Sequence, residues 1–382
     1  MNFDLTDEQL MLQDTVNQAM QNECPVTHLR TIFDGPSGHD EALWKTLSEL
    51  GIVGLAIPEE YGGAGLDILD LAVTAETLGY HAAPGPFLGH VLAGLAITAG
   101  GTPAQKEKWL PGLASGERIG TVALAEPGGR WDPQQWQMAP GDSISGVKEF
   151  VPFAEIADLI VVGLDGGALA VVERNAEGIA MEVVDGADLT RRFQHLTLTG
   201  APCELLGEGA PAERIRDVGR VLLAADAFGG SQRLLEMCVE YAKTREQFGV
   251  TIGHFQALKH QLASMALDVE PNRGLYWYSA YAQDHVPEEA ERIAAIARAH
   301  ISDRFMQVAR DAVEAHGGIG FTWECDVQIW FKRAMFDRAF LGTPAEDRER
   351  SLELAGLYSG GASPTSGQVS RERIRLMAAA IS

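Results

Sequence analysis

The stretch from Tyr241 to Ala263, YAKTREQFGVTIGHFQALKHQLA, reads as the end of one helix, a short turn at Phe248-Gly249 and the start of a second helix. Arg245 and Gln247 fall at the turn, and Phe255-Gln256 open the second helix. A guanidinium, an amide and an aromatic edge on one turn suit a dianionic group, because the planar Arg fork matches phosphate oxygens. The same residues also suit an ordinary charged surface helix. Chemistry alone leaves both readings open.

Outward from this stretch, the hydrophobic pattern divides the chain. From about Ala212 to Leu357 apolar residues recur with a helical period. Pro287 with Glu288 and Glu289 makes a helix start, since proline suits the first turn and carboxylates suit the positive end of the dipole. Ala297, Ile301, Phe305, Val308, Ala312 and Ala315 then keep one apolar face up to Gly317-Gly318. Such alanine-rich seams suit close helix contact. Upstream, TVALAEP (121–127), ADLIVVGL (157–164) and GALAVVERN (167–175) are short apolar runs bounded by turn residues, and they predict strands. The first 118 or so residues read as mainly helical. Thr6 with Gln9 forms a capping box ahead of Leu12, Val16 and Ala19, and a second helix starts near Asp40 and stops at Gly51. Further helices are expected over 66–79, 87–99 and 102–116.

The expected class is α+β, mainly α. Its predicted parts are an N-terminal helical domain (1–118), a middle β-barrel-like domain (119–210), a C-terminal helical bundle (211–357), and a linker with a short helix (358–382). The chain of 382 residues carries a formal charge of −23, which argues against nucleic acid or an anionic membrane surface as partner. Cys24, Cys203, Cys238 and Cys325 lie far apart and read as buried reduced thiols rather than a disulfide framework. Metal-ligand spacing is absent from the histidines and cysteines. The N-terminal MNFDLTDEQ has neither a basic region nor an apolar run, so a cytoplasmic location is expected.

R-x-Q-F-G-x-x-I-x-x-F-Q-x-x-K, from Arg245 to Lys259, resembles the C-terminal signature of the acyl-CoA dehydrogenase family. The resemblance continues in LTDEQ, ELGIVGLAIPEEYGGAG, HGGIGFTWECD and the Phe340-Leu341-Gly342-Thr343 turn. It implies the family fold of helical domain, β-domain and four-helix bundle. It also implies FAD, an acyl-CoA substrate and electron-transfer flavoprotein as acceptor. Arg245, Gln247, Phe248 and Gln256 match the arm that reaches a neighbouring subunit's FAD. Gly317 and Gly318 match a glycine pair near its ADP part, with Glu314 replacing a frequent Gln there. Asp217 and Arg220 match positions that help hold CoA, although a charged helix start reads equally well.

The reaction implied by the resemblance needs a carboxylate to remove the α-proton of the thioester. Most members carry it in an E-G-T turn, which here is Leu341-Gly342-Thr343. A minority carry it directly before an Arg on an earlier helix, which here is Gly219 before Arg220. Neither residue can take a proton. The family loop T-E-P-G-A-G-S-D appears as Ala125-Glu126-Pro127-Gly128-Gly129-Arg130-Trp131-Asp132, and W-I-T as Phe150-Val151-Pro152. These changes fall on the subunit's own flavin site, while the arm toward a neighbour is kept. This pattern is similar to the α2β2 acyl-CoA dehydrogenases of steroid side-chain degradation, and the expectation is a non-catalytic subunit paired with a homologous one. The rival is a self-sufficient dehydrogenase whose base has moved to Asp226, Glu346 or Asp347. An oxidase, or a scaffold without flavin, remains as a further alternative.

Overall fold

The computed structural model describes residues 4–207 and 212–357. The expected linker and short helix at 358–382, and the boundary drawn at 210/211, lie outside the described residues.

The chain begins with α1 (Asp7–Glu23), α2 (Val26–Phe33), α3 (Glu41–Glu49), α4 (Ile68–Tyr80), α5 (Phe87–Gly100) and α6 (Pro103–Ala114). Thr6 and Gln9 form the expected reciprocal cap, and Asp40 caps α3 through the backbone N–H groups of Ala42 and Leu43. Gly51 stops α3 at φ +73°. The sequence reading did not anticipate α2, which starts after Pro25 without a side-chain cap. It is held by tertiary burial of Leu29, Ile32 and Phe33 instead.

Seven strands follow: β1 (Gly120–Ala123), β2 (Ser143–Pro152), β3 (Leu159–Gly163), β4 (Leu169–Glu173), β5 (Ile179–Val184), β6 (Phe193–Pro202) and β7 (Glu204–Leu205). They form a four-stranded sheet in the order β1-β3-β4-β7 and a three-stranded sheet in the order β2-β6-β5. β3 reads as an unbroken apolar run because both of its faces are buried. Leu159 and Val161 join the core shared with the helices, whereas Ile160 and Val162 face the core between the two sheets.

The remaining elements are α7 (Ala212–Thr244), a hairpin of β8 (Glu246–Gln247) and β9 (Val250–Thr251), α8 (Gln256–Val269), α9 (Asn272–His285), α10 (Pro287–His316), α11 (Val327–Ala339) and α12 (Pro344–Leu354). α7 packs between α4 and α10. At the α4–α7 crossing a methyl on Gly79 would lie 2.1 Å from the Asp226 carbonyl oxygen, and one on Gly229 would lie 1.9 Å from that of Glu76. The two backbones touch, so only glycine fits there. The alanine-rich face of α10, including Ala294, Ala297, Ala309 and Ala312, is fully buried. Cys24, Cys238 and Cys325 are buried and Cys203 half-buried, all as free thiols. Among the described residues no helix is long and apolar enough to cross a membrane.

Candidate functional site

The two positions at which a base was expected meet in space. α11 ends at Ala339 with Phe340 as its C-cap, and Leu341 adopts φ +65° before Thr343 caps α12. Leu341 is buried, and a methyl built on Gly219 of α7 would lie only 2.5 Å from Leu341 Cδ1. Either position could place a carboxylate at this point, yet the space is filled by a leucine side chain resting on a glycine.

Arg298, on the buried face of α10, fixes the Leu341 turn. It donates to the carbonyls of Phe340 (2.7 Å), Arg338 (3.2 Å) and Gly342, and pairs with Asp347 Oδ2 at 2.5 Å. The other oxygen of Asp347 lies 2.6 Å from Arg220, off the angle of a good hydrogen bond. Arg220 also donates to Asp217, which receives a second bond from Arg216. Arg216 continues to Asp132 (2.9 Å) and Glu291 (2.8 Å), and Glu291 takes Arg350. Burial pushes the Asp217 carboxyl above its ordinary range, against the charges of Arg216 and Arg220. Against the cost of burial, Arg350 and Arg216 hold Glu291 below its own range. This chain of pairs floors an open cavity of about 300 Å3 that Leu341 and Trp131 also line. Asp217 and Arg220 are thus joined to each other within the network.

The displaced-base candidates are occupied as well. Asp226 takes both its oxygens to Arg333, at 3.1 and 2.9 Å, and one also to Arg191 at 3.1 Å. Arg333 reaches further to Asp188 (2.7 Å), Thr190 and the Ala83 carbonyl, and all these groups are buried. Asp337 is buried beside them with neither oxygen hydrogen-bonded, and burial together with the Asp226 charge raises its carboxyl well above the ordinary range. Beside Asp337, Arg191 and Arg333 face the two carboxylates of Asp226 and Asp188. Glu346 accepts from the backbone N–H and hydroxyl of Thr343 in a helix cap. Asp347 is the carboxylate shared by Arg298 and Arg220.

In the β-region, Glu126 is buried and accepts from the N–H groups of Gln137 and Met138 and from Lys148 Nζ, which fixes the 125–132 loop. Trp131 stacks on Phe150 (centroids 6.2 Å, 20° between planes) and meets Phe340 edge-on at 5.1 Å. Phe193 stacks on both Phe336 and Phe340. These rings line a second cavity of about 330 Å3. Pro152 has no N–H to offer, and its carbonyl already accepts from the Thr121 hydroxyl at 2.5 Å.

The segment expected as a cross-subunit arm has the opposite character. Arg245, Gln247 and Phe248 lie on the β8–β9 hairpin and are exposed. Phe248, at its tip, is 92% exposed with φ +55°. Among the described residues Arg245 has no side-chain hydrogen bond or ion pair. Gln256 opens α8 with only a contact to His260. Tyr241 near the end of α7 stacks on His316 at the end of α10, centroids 4.5 Å apart. The hairpin after Tyr241 and the turn Gly317-Gly318 after His316 therefore leave the core side by side. His316 is buried and its ring nitrogen contacts the Ala312 carbonyl, with burial lowering its pKa, so it packs as a neutral ring. Glu314, Gly317 and Gly318 are exposed, and a methyl on either glycine would meet nothing within 4 Å. Among the described residues no neighbour demands glycine at 318. Ile319 and Phe321 beside them are 47% and 73% exposed.

The positive φ at Leu341, the arginine chain and the two aromatic clusters escaped the sequence reading. One signal was present: Arg298 falls on the apolar stripe of α10, and Arg333 and Asp337 fall one turn apart on the buried face of α11.

Residues 6–117 match the model of the acyl-CoA dehydrogenase N-terminal domain, and residues 212–351 that of the acyl-CoA dehydrogenase C-terminal domain. The chain belongs to the acyl-CoA dehydrogenase family. It is similar to acyl-CoA dehydrogenase IpdE2 of Mycolicibacterium smegmatis, 33% identical over 347 residues that cover 91% of this chain and 98% of the relative. Among solved structures it resembles a variant of the Tcur3481–Tcur3483 steroid ACAD (32% identity, TM-score 0.85, 92% of this chain and 98% of that one). It also resembles the ChsE4–ChsE5 complex from Mycobacterium tuberculosis (28% identity, TM-score 0.85, 94% of this chain and 100% of that one).

Proposed function

We propose that this chain is the non-catalytic subunit of a cytoplasmic heteromeric acyl-CoA dehydrogenase, arranged as α2β2 with a homologous partner that carries the base. The observation that carries this reading is a contrast. Leu341 is sealed onto Gly219 where proton abstraction would occur, while Arg245 stands exposed with its side chain unpaired among the described residues and Phe248, which meets only the edge of Phe255, is 92% exposed at the hairpin tip. A partner's FAD would supply the hydride acceptor for α,β-dehydrogenation of an acyl-CoA thioester. Toward that cofactor Arg245 would place a planar cation on the pyrophosphate, with Gln247 and Gln256 beside it and Glu314 toward the adenosine. The bare backbone at Gly317 and Gly318 would allow close approach. The exposed Phe248, Ile319 and Phe321 would bury their apolar surface against the partner. The steroid ACAD and the two-chain complex among the solved structures support the assembly, while a steroid side-chain CoA ester as substrate and electron-transfer flavoprotein as acceptor rest on the family resemblance.

A self-sufficient enzyme would need a free carboxylate at the site. Asp226, Glu346 and Asp347 are each held by arginines or a helix cap, which counts against that reading. The deciding experiment is flavin stoichiometry of the chain alone and co-expressed with a homologous acyl-CoA dehydrogenase. About one FAD per unlike pair and a colourless isolated chain support the proposal. An isolated yellow chain that bleaches with acyl-CoA refutes it.

A further inference from the structure

The two cavities beside the Leu341 turn have different walls. One is polar, with Arg216, Arg220, Arg350 and Asp347. The other is a slot of aromatic rings closed by Phe150, Phe193, Phe336 and Phe340. Among the described residues Trp131 is the one that lines both. Adjacent residues of the turn fall on opposite sides of it, Leu341 toward the polar cavity and Phe340 toward the aromatic one.

Stacking distances show what the indole does there. Flat rings stack with centroids about 4.5–7 Å apart, so a pair at 6.2 Å and 20° has no room for a third ring between them. The indole covers one face of Phe150. An edge-to-face contact with Phe340 places the indole beside the Leu341 turn. The loop that carries it is fixed from below by buried Glu126, which takes two backbone N–H groups and Lys148. The indole is therefore held in place rather than resting there loosely.

We propose that Trp131 is the wall between this subunit's ring-lined cavity and the polar one, covering the Phe150 face so that a flavin ring cannot settle on it. Replacing the indole by a small side chain joins the two cavities and frees the Phe150 face for a planar heteroaromatic ring. The inference rests on the reading above that this chain's own site takes no flavin, and gives that reading a single-residue cause.

Riboflavin is the probe, because it lacks the pyrophosphate that Arg245 would hold. Titrations of the full-length chain are followed by quenching of flavin fluorescence. Trp131→Ala is expected to tighten riboflavin binding tenfold or more over the unaltered chain. Trp131→Phe, which keeps a ring on Phe150, is expected to change it less than threefold, and Trp131→Leu to fall between. Adding Phe150→Ala to Trp131→Ala should remove the gain. A folded Trp131→Ala or Trp131→Leu chain with no gain overturns the proposal, as does an equal gain with Trp131→Phe. Arg245→Ala is the control that separates the two ideas. It should leave riboflavin binding unchanged here, yet lower FAD content in the heteromer.

Discussion

Leu341 Cδ1 lies where the first side-chain carbon of any residue at Gly219 would have to go, 2.5 Å from a methyl built there. Two segments more than a hundred residues apart converge on one small volume, and an aliphatic side chain fills it. Gly219→Ala is expected to destabilise the chain by about 1–3 kcal/mol through overpacking. Leu341→Ala should cost about 2–5 kcal/mol through the cavity it leaves. Because the two groups share one space, the double variant should cost less than the sum, with a coupling of about 0.5–3 kcal/mol. Urea unfolding of the four proteins checks this. Simple additivity would mean that the two side chains do not touch.

Asp226 is a structural carboxylate on this account. Asp226→Asn weakens pairing with Arg333 and Arg191, both fully or nearly fully buried, and should cost about 3–5 kcal/mol in thermal or denaturant unfolding. Turnover of the folded heteromer should stay within about twofold. Loss of turnover with stability retained would instead identify Asp226 as the base.

Asp337 sets a pH dependence. Its folded carboxyl titrates well above the ordinary 3.8, by burial first and the Asp226 charge second. The folded state thus keeps a proton that the unfolded chain has already released. The resulting contribution to stability is complete below the unfolded value and is lost as pH rises toward the folded one. Asp337→Asn, which cannot ionise, should raise Tm relative to the parent at pH 8, and the difference should shrink as pH falls toward 4. A constant difference across that range would rule out this titration.

Among the described residues the Arg245 side chain makes no hydrogen bond or ion pair, and exposed Phe248 meets Phe255 edge-on at 6.1 Å. Arg245→Ala and Phe248→Asp should each alter the isolated chain's stability by no more than about 0.5 kcal/mol. In the heteromer, loss of a charge-assisted bond worth about 1.5–3 kcal/mol should weaken FAD binding by roughly 10- to 100-fold for Arg245→Ala. Phe248→Asp should lower the heteromer fraction in gel filtration. Unchanged flavin content in both variants would remove the hairpin from the interface.

Much of the architecture could be read locally. The capping box at Thr6, the stop at Gly51, the Pro287 start and the glycine end of α10 are signals carried within a few residues, and each stands where the sequence places it. The apolar runs of β1, β3 and β4 were legible because both their faces are buried. β2, β5 and β6 were not separately legible, because each leaves a face partly in solvent and mixes polar with apolar residues. α2 lacks a capping side chain and depends on what packs against it.

The sequence by itself determined the family, the absence of a carboxylate at Leu341 and Gly219, and the residues of the Arg245–Lys259 motif. These follow from residue identity at motif positions. Only the tertiary structure decided that Leu341 and Gly219 share one volume, that Trp131 stands between two cavities, and that Asp226 belongs to Arg333 and Arg191. The reason is physical. Side-chain chemistry is written locally, but which charges meet and which rings stack depends on close packing of segments far apart in the chain.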